Sequence, residues 1–393
     1  MGRKRAVLVG INYAGAADEL KGCHNDVARM RRCLVDRFGF DEADIRVLVD
    51  ADGAAPQPTG ANIRLELERL VGDARPGDTL FFHYSGHGKR LPAETGQEDD
   101  TGYDECIVPC DLNLIKDQDF KEIVAKVPDG CLFTIVLDSC HSGGMIEKTK
   151  EQIGNSTRQS KTQHQERQTR PSFVTSLLRI VRGVFESLGI HLLRRRSGGP
   201  EPDTKAELAT RSSIRNRSLP LSSFIRMLKE KTGRDDIGVG SIRTTLFQLF
   251  GDDASPKIKK FVEAMAASKL RQDGELEESK VGTLKRDSPE QEARSVKEVY
   301  AGTAASVLVP RSGVLISGCQ TDQTSADATT PDGESYGALS NAIQTILARE
   351  KHGTVTNREL VLKARELLSK QGLARQQPGL YCSDELADAA FIC

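Results

Sequence analysis

The first 145 residues alternate short apolar runs with helical patterns, and this alternation limits the fold more than any other feature of the chain. The apolar runs are rich in β-branched or aromatic residues and predict buried strands at 5–11, 45–49, 79–84 and 131–137. Helical spacing predicts a helix at 26–38, ended by Gly39, and another at 61–71, opened by Thr59. Strands separated by helices predict βαβ units, and therefore an α/β fold with a mostly parallel central sheet and helices on both faces.

Charge and hydropathy exclude several classes of protein. The 393 residues include 55 Lys or Arg and 56 Asp or Glu, so the net charge is -1, and we expect neither a nucleic acid nor a membrane surface as partner. No apolar run approaches the roughly 18–20 residues of a membrane span. The basic start, Met1 to Arg5, precedes an apolar stretch too short for a secretory signal, which predicts a cytoplasmic protein. Nine cysteines without a Cys-x-x-Cys pair then indicate free thiols.

The composition changes in the middle of the chain. Residues 150–217 hold 14 Lys or Arg against 6 Asp or Glu, which predicts a basic disordered linker with at most one amphipathic helix, at 173–188. It separates a large region, 1–149, from a small region, 218–393, that contains a polar loop at about 271–297. Patterns in the small region predict strands at 314–317 and 379–382, and helices at 221–231, 242–250, 256–270, 337–349 and 358–370.

Two loops that follow predicted strands carry the candidate chemistry. His87 lies in one and Cys140, 53 residues later, in the other, and each has glycines nearby. Either residue alone would suit a turn histidine or a buried structural thiol. Together, at the ends of parallel strands, they predict a nucleophilic cysteine activated by an imidazole. The small neighbouring residues leave main-chain N–H groups, of Gly88 and Cys140, for an oxyanion hole.

These loops resemble the catalytic segments of a known family. Tyr84-Ser-Gly-His-Gly88 and Asp138-Ser-Cys-His-Ser-Gly-Gly144 are similar to the catalytic pair of metacaspases, and the long linker resembles the plant type II group. Further matching segments begin at Gly10, Gly22, Gly102, Ser317 and Gln376. The resemblance implies the caspase–haemoglobinase fold, a three-layer α/β/α sandwich, in place of two independent domains. It also implies a cysteine endopeptidase, a hydrolase of plant stress, wounding or cell-death responses.

The resemblance also implies the specificity. In metacaspases the positions of Asp26 and Asp138 line the S1 pocket, which receives the residue before the scissile bond. Two carboxylates suit a guanidinium or ammonium group, so we expect protein or peptide substrates with Arg or Lys at P1. The alternative for Asp26 is a carboxylate that only stabilises the first turn of a helix.

Calcium is the cofactor that the resemblance implies, as an activator. The matching ligand positions are Asp104, Asp117, Gln118 and Glu147, and Gln118 departs from the usual aspartate. The acidic run Glu98–Asp100 would suit either a second ion or solvated loop charge. No Cys/His spacing fits a zinc site.

The end of the linker predicts a zymogen. Arg217-Ser218 precedes a Leu-Pro stretch, as at the self-cleavage site of type II metacaspases, and a tethered arginine would meet an acidic pocket intramolecularly. The alternative is that any exposed linker arginine is cut without consequence, such as Arg196, Arg211 or Arg215. From the resemblance we expect a monomer.

Two other classes compete with the peptidase. A catalytically silent caspase-fold scaffold could bind partners through the linker, but an intact His87 and Cys140 pair favours the enzyme. A nucleotide-binding α/β protein would need a Gly-x-x-x-x-Gly-Lys loop, which the sequence lacks.

Overall fold

A computed structural model describes residues 2–92, 103–140, 151–154, 214–278, 313–320, 323–330, 333–350 and 355–392, with backbone alone at 103, 117, 118, 121 and 268–278. Its strands are β1 Lys4–Gly10, β2 Ile45–Val49, β3 Thr79–Ser85, β4 Gly88–Pro92, β5 Tyr103–Ile107, β6 Ile115–Lys116, β7 Leu132–Asp138, β8 Glu151–Ile153, β9 Ile214–Asn216, β10 Gly313–Ser317, β11 Ala326–Thr329, β12 Ser335–Gly337 and β13 Gly379–Tyr381. Its α-helices are α1 Cys23–Phe38, α2 Gly60–Gly72, α3 Asp117–Val124, α4 Leu221–Thr232, α5 Ile242–Phe250, α6 Pro256–Glu278, α7 Ala338–Arg349, α8 Asn357–Lys370 and α9 Asp384–Ala387.

Seven strands form the central sheet, in the order β2-β1-β3-β7-β10-β13-β8. The first five are parallel, and β13 and β8 are antiparallel to their neighbours. The predicted α/β fold with a mostly parallel sheet is therefore confirmed. Two small sheets of three strands each, β12-β11-β9 and β4-β5-β6, accompany it.

Apolar side chains fill both faces of the central sheet. Alternate residues of each strand point to opposite faces, so Phe81 lies in one core cluster and Phe82 in the other. Helices α1, α7 and α8 cover the first face, and α2, α3 and α4 cover the second. A sheet buried on both faces explains why its strands read as continuous apolar runs in the sequence.

Local signals set the helix boundaries where the sequence predicts them. Gly39 ends α1 in the left-handed region, at φ 67°, where a side chain would be strained. The Thr59 hydroxyl accepts a hydrogen bond from Asn62 N at the start of α2. Thr356 and Glu359 form a reciprocal capping box at the start of α8.

The structure differs from the sequence prediction in the polar regions. Both ends of the predicted disordered linker are strands: β8 joins the edge of the central sheet and β9 pairs with β11. Helix α6 continues to Glu278, past the predicted start of the polar loop at 271. Backbone pairing holds β8 and β9, and such pairing does not require apolar periodicity in the sequence. The predicted helix at 173–188 lies outside the described residues.

Two predictions from composition can be compared with the described residues. None of their helices is long and apolar enough to cross a membrane. Eight of the nine cysteines lie in the described part of the chain, and all eight are free thiols.

Candidate active site

The parallel strands bring the two predicted loops to one edge of the sheet. Ser85, at the end of β3, lies opposite Asp138, at the end of β7. His87 and Cys140 each follow two residues later, so the shared register carries both to the carboxyl edge, where open parallel sheets bind ligands. Cys140 is 0% exposed and His87 is 1% exposed.

The His87 ring is held in one tautomer. Its Nε2 lies 2.6 Å from the Asp18 carbonyl oxygen, and because a carbonyl can only accept, Nε2 must carry the proton. Burial lowers the pKa of His87, while the Asp18 carbonyl and the Arg217 backbone act in the opposite direction. A neutral ring with an unprotonated Nδ1 is the form that can accept a proton from a thiol.

Tyr13 positions the loop that carries His87. Its hydroxyl accepts a hydrogen bond from His87 N at 3.0 Å and donates to the Val108 carbonyl at 2.6 Å. Tyr13 has a positive φ of 54°, and Asp50 holds this turn by accepting from Asn12 N and Tyr13 N. In the sequence, Tyr13 is noticed only as part of a matching segment, because nothing local connects it to His87.

The Cys140 sulfur lies among polar groups of the small region. Ser325 N donates to Sγ at 2.9 Å, and the Asn216 side-chain oxygen lies 3.5 Å from the same sulfur. Residues far along the chain therefore complete the surroundings of the nucleophile.

Arg217 continues from β9 across this site. Its N–H donates to the Ser325 carbonyl at 3.0 Å, which continues the pairing of β9 with β11. Its carbonyl oxygen accepts from Gly88 N at 2.9 Å, the predicted oxyanion-hole donor. A Cβ on Gly88 would lie 1.8 Å from the Cys140 carbonyl oxygen, so only glycine fits there.

The Arg217 side chain is fully enclosed, with 0% exposure. Its Nη1 donates to Ser85 Oγ and to the Asp138 carbonyl, both at 2.8 Å. Its Nη2 donates to Asp26 Oδ2 at 2.9 Å and to Asp327 Oδ1 at 3.0 Å. The Asp138 carboxylate forms a longer ion pair with Nη1, at 3.5 Å. The pocket thus joins both predicted carboxylates with a third, Asp327, that the sequence analysis missed.

Three buried carboxylates around one cation make this pocket strongly acidic. Burial raises the pKa of Asp26 to about 7, with the Arg217 guanidinium opposing the shift and the Asp138 carboxylate adding to it. Burial acts against the charge of Arg217 too, but the surrounding acidic groups hold its pKa above the ordinary value. The guanidinium therefore pairs carboxylates that would be costly to bury unpaired at this depth.

Asp104, the only predicted calcium ligand whose side chain is described, lies in a different environment. Its buried carboxylate contacts Lys116 Nζ at 2.8 Å, Arg243 Nη2 at 3.3 Å and the Lys257 ammonium. Burial alone would raise the pKa of Asp104, but Lys116 and Lys257 hold it below the ordinary value. Because cationic side chains hold both oxygens, the arrangement does not fit a calcium ion at Asp104.

The other acidic positions give no comparable test. Asp117 and Gln118 begin α3, and their side chains are not among those described. Glu147 and Glu98–Asp100 lie outside the described residues. Within the described ranges, no three His, Cys, Asp or Glu side chains form a group that could hold a metal ion.

Comparisons with known proteins agree with this geometry. A family model described as "Metacaspase, peptidase C14 domain" matches residues 4–149. Metacaspase-4 of Arabidopsis thaliana is 50% identical over an alignment that covers 99% of this chain and 100% of that protein. Metacaspase-7 of the same plant is 48% identical with the same coverage. Metacaspase-1 of the fungus Coccidioides immitis is 43% identical over 37% of this chain and 32% of its own length.

A solved structure supports the fold alone. The crystal structure of protein GSU0716 from Geobacter sulfurreducens superposes with a TM-score of 0.50 at 16% identity, covering 99% of this chain and 98% of that one. The end-to-end identity with the Arabidopsis proteins is the stronger finding. The chain therefore belongs to the metacaspases, caspase-family cysteine peptidases, and within them to the plant type II group that its motifs resemble.

Proposed function

We propose that this peptidase cleaves after Arg or Lys, and that it is made as a zymogen that cuts its own Arg217–Ser218 bond. One observation carries the proposal: Arg217 is bound as a substrate residue would be. Its side chain is buried among three carboxylates, and its carbonyl oxygen lies 2.9 Å from Gly88 N, in the loop next to His87. A peptide carbonyl held beside a nucleophile and an N–H donor is poised for acyl transfer.

Recognition at the end of the side chain explains why either basic residue suits the pocket. Among the described residues, the two terminal nitrogens of Arg217 make its side-chain hydrogen bonds, and Nε has no partner there. A lysine ammonium could therefore replace the guanidinium between Asp26 and Asp327. An acidic P1 side chain would add a fourth negative charge to this pocket and be rejected.

The chemistry follows from the positions of these groups. His87 accepts the Cys140 proton, and the thiolate attacks the P1 carbonyl carbon. Gly88 N, with Cys140 N as the predicted second donor, stabilises the negative charge that develops on the carbonyl oxygen. The protonated His87 then gives its proton to the amine that leaves at Ser218. Water hydrolyses the acyl-enzyme and restores the thiol.

The buried position of Arg217 favours a specific cut over random nicking of the linker. Arg215, two residues earlier, is exposed on β9 and contacts the Glu19 carbonyl. Arg196 and Arg211 lie outside the described residues. Because the uncut segment fills the pocket, it excludes external substrates until it is cleaved and leaves.

Arg217→Gln is expected to leave the 217–218 bond intact and keep activity at the zymogen level, because glutamine supplies no positive charge to the pocket. Arg217→Lys, the matched control, should still be cut there. Fragment N-terminal sequencing and an Arg-amide assay measure both results. Fragments of Arg217→Gln that begin at Ser218, or normal activation through another cut, would contradict the proposal.

We propose calcium as the activator, on the support of the acidic residues that the sequence places at Glu98–Asp100, Asp117 and Glu147, and not of Asp104. Chelation of calcium should abolish the activity of the wild-type enzyme, and magnesium should not restore that activity because its octahedral coordination shell is stricter.

Asp104→Asn should keep the wild-type calcium midpoint but lose about 3–5 kcal/mol of unfolding free energy, because it leaves buried cations unpaired. Urea unfolding and calcium titration of activity measure the two effects, with the exposed Asp236→Asn as control. A raised calcium midpoint at unchanged stability would place the ion at Asp104.

The setting of this activity is also proposed. Cytoplasmic residence, a monomeric state, and a part in stress, wounding or cell-death responses rest on the sequence and the resemblance.

A further inference from the structure

The residues that follow the Arg217–Ser218 bond, Ser218 and Leu219, also contact the strand that begins at Gly88. Gly88 pairs with Ser218 in a parallel bridge. Gly88 N donates to the Arg217 carbonyl at 2.9 Å, and Gly88 O accepts from Leu219 N at 3.0 Å. The backbone of one glycine therefore contacts the residues on both sides of the bond to be cut.

Lys89 extends this contact by one residue. Its Nζ donates to the Leu219 carbonyl at 3.1 Å, and its side chain is only 2% exposed. The ammonium lies 5.7 Å from the centre of the Phe224 ring. Among the described residues no carboxylate lies within ion-pair distance of it, and the Leu219 carbonyl is the one hydrogen-bond acceptor of its ammonium there.

A buried ammonium without a counter-ion is costly, and burial lowers the pKa of Lys89 to about 8. The cost is partly offset by the aromatic face of Phe224 and by the charge-assisted hydrogen bond. An apolar side chain of the same length, such as methionine, would fill this space without that cost. The lysine is therefore explained by what its amine binds.

We propose that Lys89 is a substrate-positioning residue that binds the main-chain carbonyl of the second residue after the scissile bond, P2′, in external substrates as it does in Leu219. The inference rests on the proposed cleavage after Arg217. A main-chain carbonyl is present in every extended peptide, so this contact favours protein substrates without selecting a sequence. It also holds the leaving half of the substrate in line with Gly88.

Two peptides test the proposal on the activated enzyme. Both share the residues up to Arg at P1; one ends in Ser-amide at P1′, and the other continues to Ser-Gly-amide, which adds a P2′ carbonyl without a side chain. On the wild type, the longer peptide should have about 10-fold higher kcat/KM, the value of one charge-assisted hydrogen bond. In Lys89→Met the ratio should fall to near 1. Because both peptides meet the same protein, the ratio does not depend on the folded fraction.

The outcomes separate the two proposals. If Lys89→Met keeps the wild-type ratio, the inference is wrong; if the wild type cleaves neither peptide after Arg, the proposed specificity is wrong.

A modified substrate tests the same contact on the wild-type enzyme and so does not depend on whether Lys89→Met folds. Residue 220 is proline and has no N–H, so in a peptide that continues to Ser-Leu-Pro a thioamide in place of the Leu-Pro amide keeps the proline ring and changes the P2′ acceptor from oxygen to the weaker acceptor sulfur. Wild-type enzyme should cleave this thioamide peptide about 5- to 10-fold less efficiently than the amide, and equal rates would overturn the inference.

Discussion

Cys140→Ala is expected to lose all measurable cleavage of Arg and Lys substrates, a decrease of at least about 1,000-fold in kcat/KM. The thiolate forms the bond to the substrate carbonyl, which an alanine side chain cannot do. His87→Ala should come close to the same level. Since the two residues act as one unit, the double variant should be no worse than either single variant. Hydrolysis of an Arg-aminocoumarin amide measures all three.

A second cysteine variant serves as the control for this result. Cys33 lies on α1, away from the catalytic loops, and Cys33→Ala should keep wild-type activity. Thermal unfolding of each variant shows whether the fold is intact. Residual cleavage by folded Cys140→Ala would mean that another thiol is the nucleophile, and Cys23, buried below the pocket, would be the first to examine.

The sequence predicted the position of the catalytic pair because that position depends on local patterns. The apolar runs of β3 and β7 identify two buried strands, and a parallel sheet brings their carboxyl ends to one edge. His87 and Cys140 lie at the same distance beyond those ends. Register and strand length, both visible in the sequence, therefore bring the two loops to the same edge of the sheet.

The third carboxylate of the pocket could not be predicted in this way. Asp327 lies in the four-residue strand β11, Ala-Asp-Ala-Thr, which carries no periodic pattern. It reaches Arg217 because β9 pairs with β11, and Lys21 N and Gly22 N fix its carboxylate from the start of α1. Its role depends on segments about 110 and 305 residues apart in sequence, a relation that a single chain does not reveal.

Asp104 is the reverse case, a residue that was predicted as a calcium ligand but lies among cationic side chains in the fold. A carboxylate among other acidic residues resembles a calcium ligand when only neighbours along the chain are considered. In the fold, Lys116 and Lys257 approach it from β6 and from α6, 12 and 153 residues away. Neutralisation by distant lysines leaves no pattern in the local sequence.

Asp26→Asn is expected to lower kcat/KM for Arg substrates by about 100-fold, at the upper end of the value of one charge-assisted hydrogen bond. The Asp26 carboxylate only accepts hydrogen bonds, from Arg217, Ser85 Oγ and Gly337 N. An amide in its place must turn its NH2 towards one of these donors. Asp138→Asn should cost less, about 10-fold, because Asp138 also holds the guanidinium through its main-chain carbonyl, which the substitution keeps.

Stability measurements separate this loss from unfolding. The same substitution turns an amide NH2 towards Ser85 Oγ, Gly337 N or Arg217 within the fold, so it also costs stability. The kcat/KM of Asp26→Asn is therefore measured below its unfolding temperature, which thermal unfolding beside the wild type gives. Asp327→Asn should follow Asp26→Asn, since Asp327 contacts the same Nη2 at 3.0 Å. Unchanged kcat/KM in folded Asp26→Asn, or a larger loss in Asp138→Asn than in the other two, would show that the carboxylates do not bind the P1 side chain as they bind Arg217.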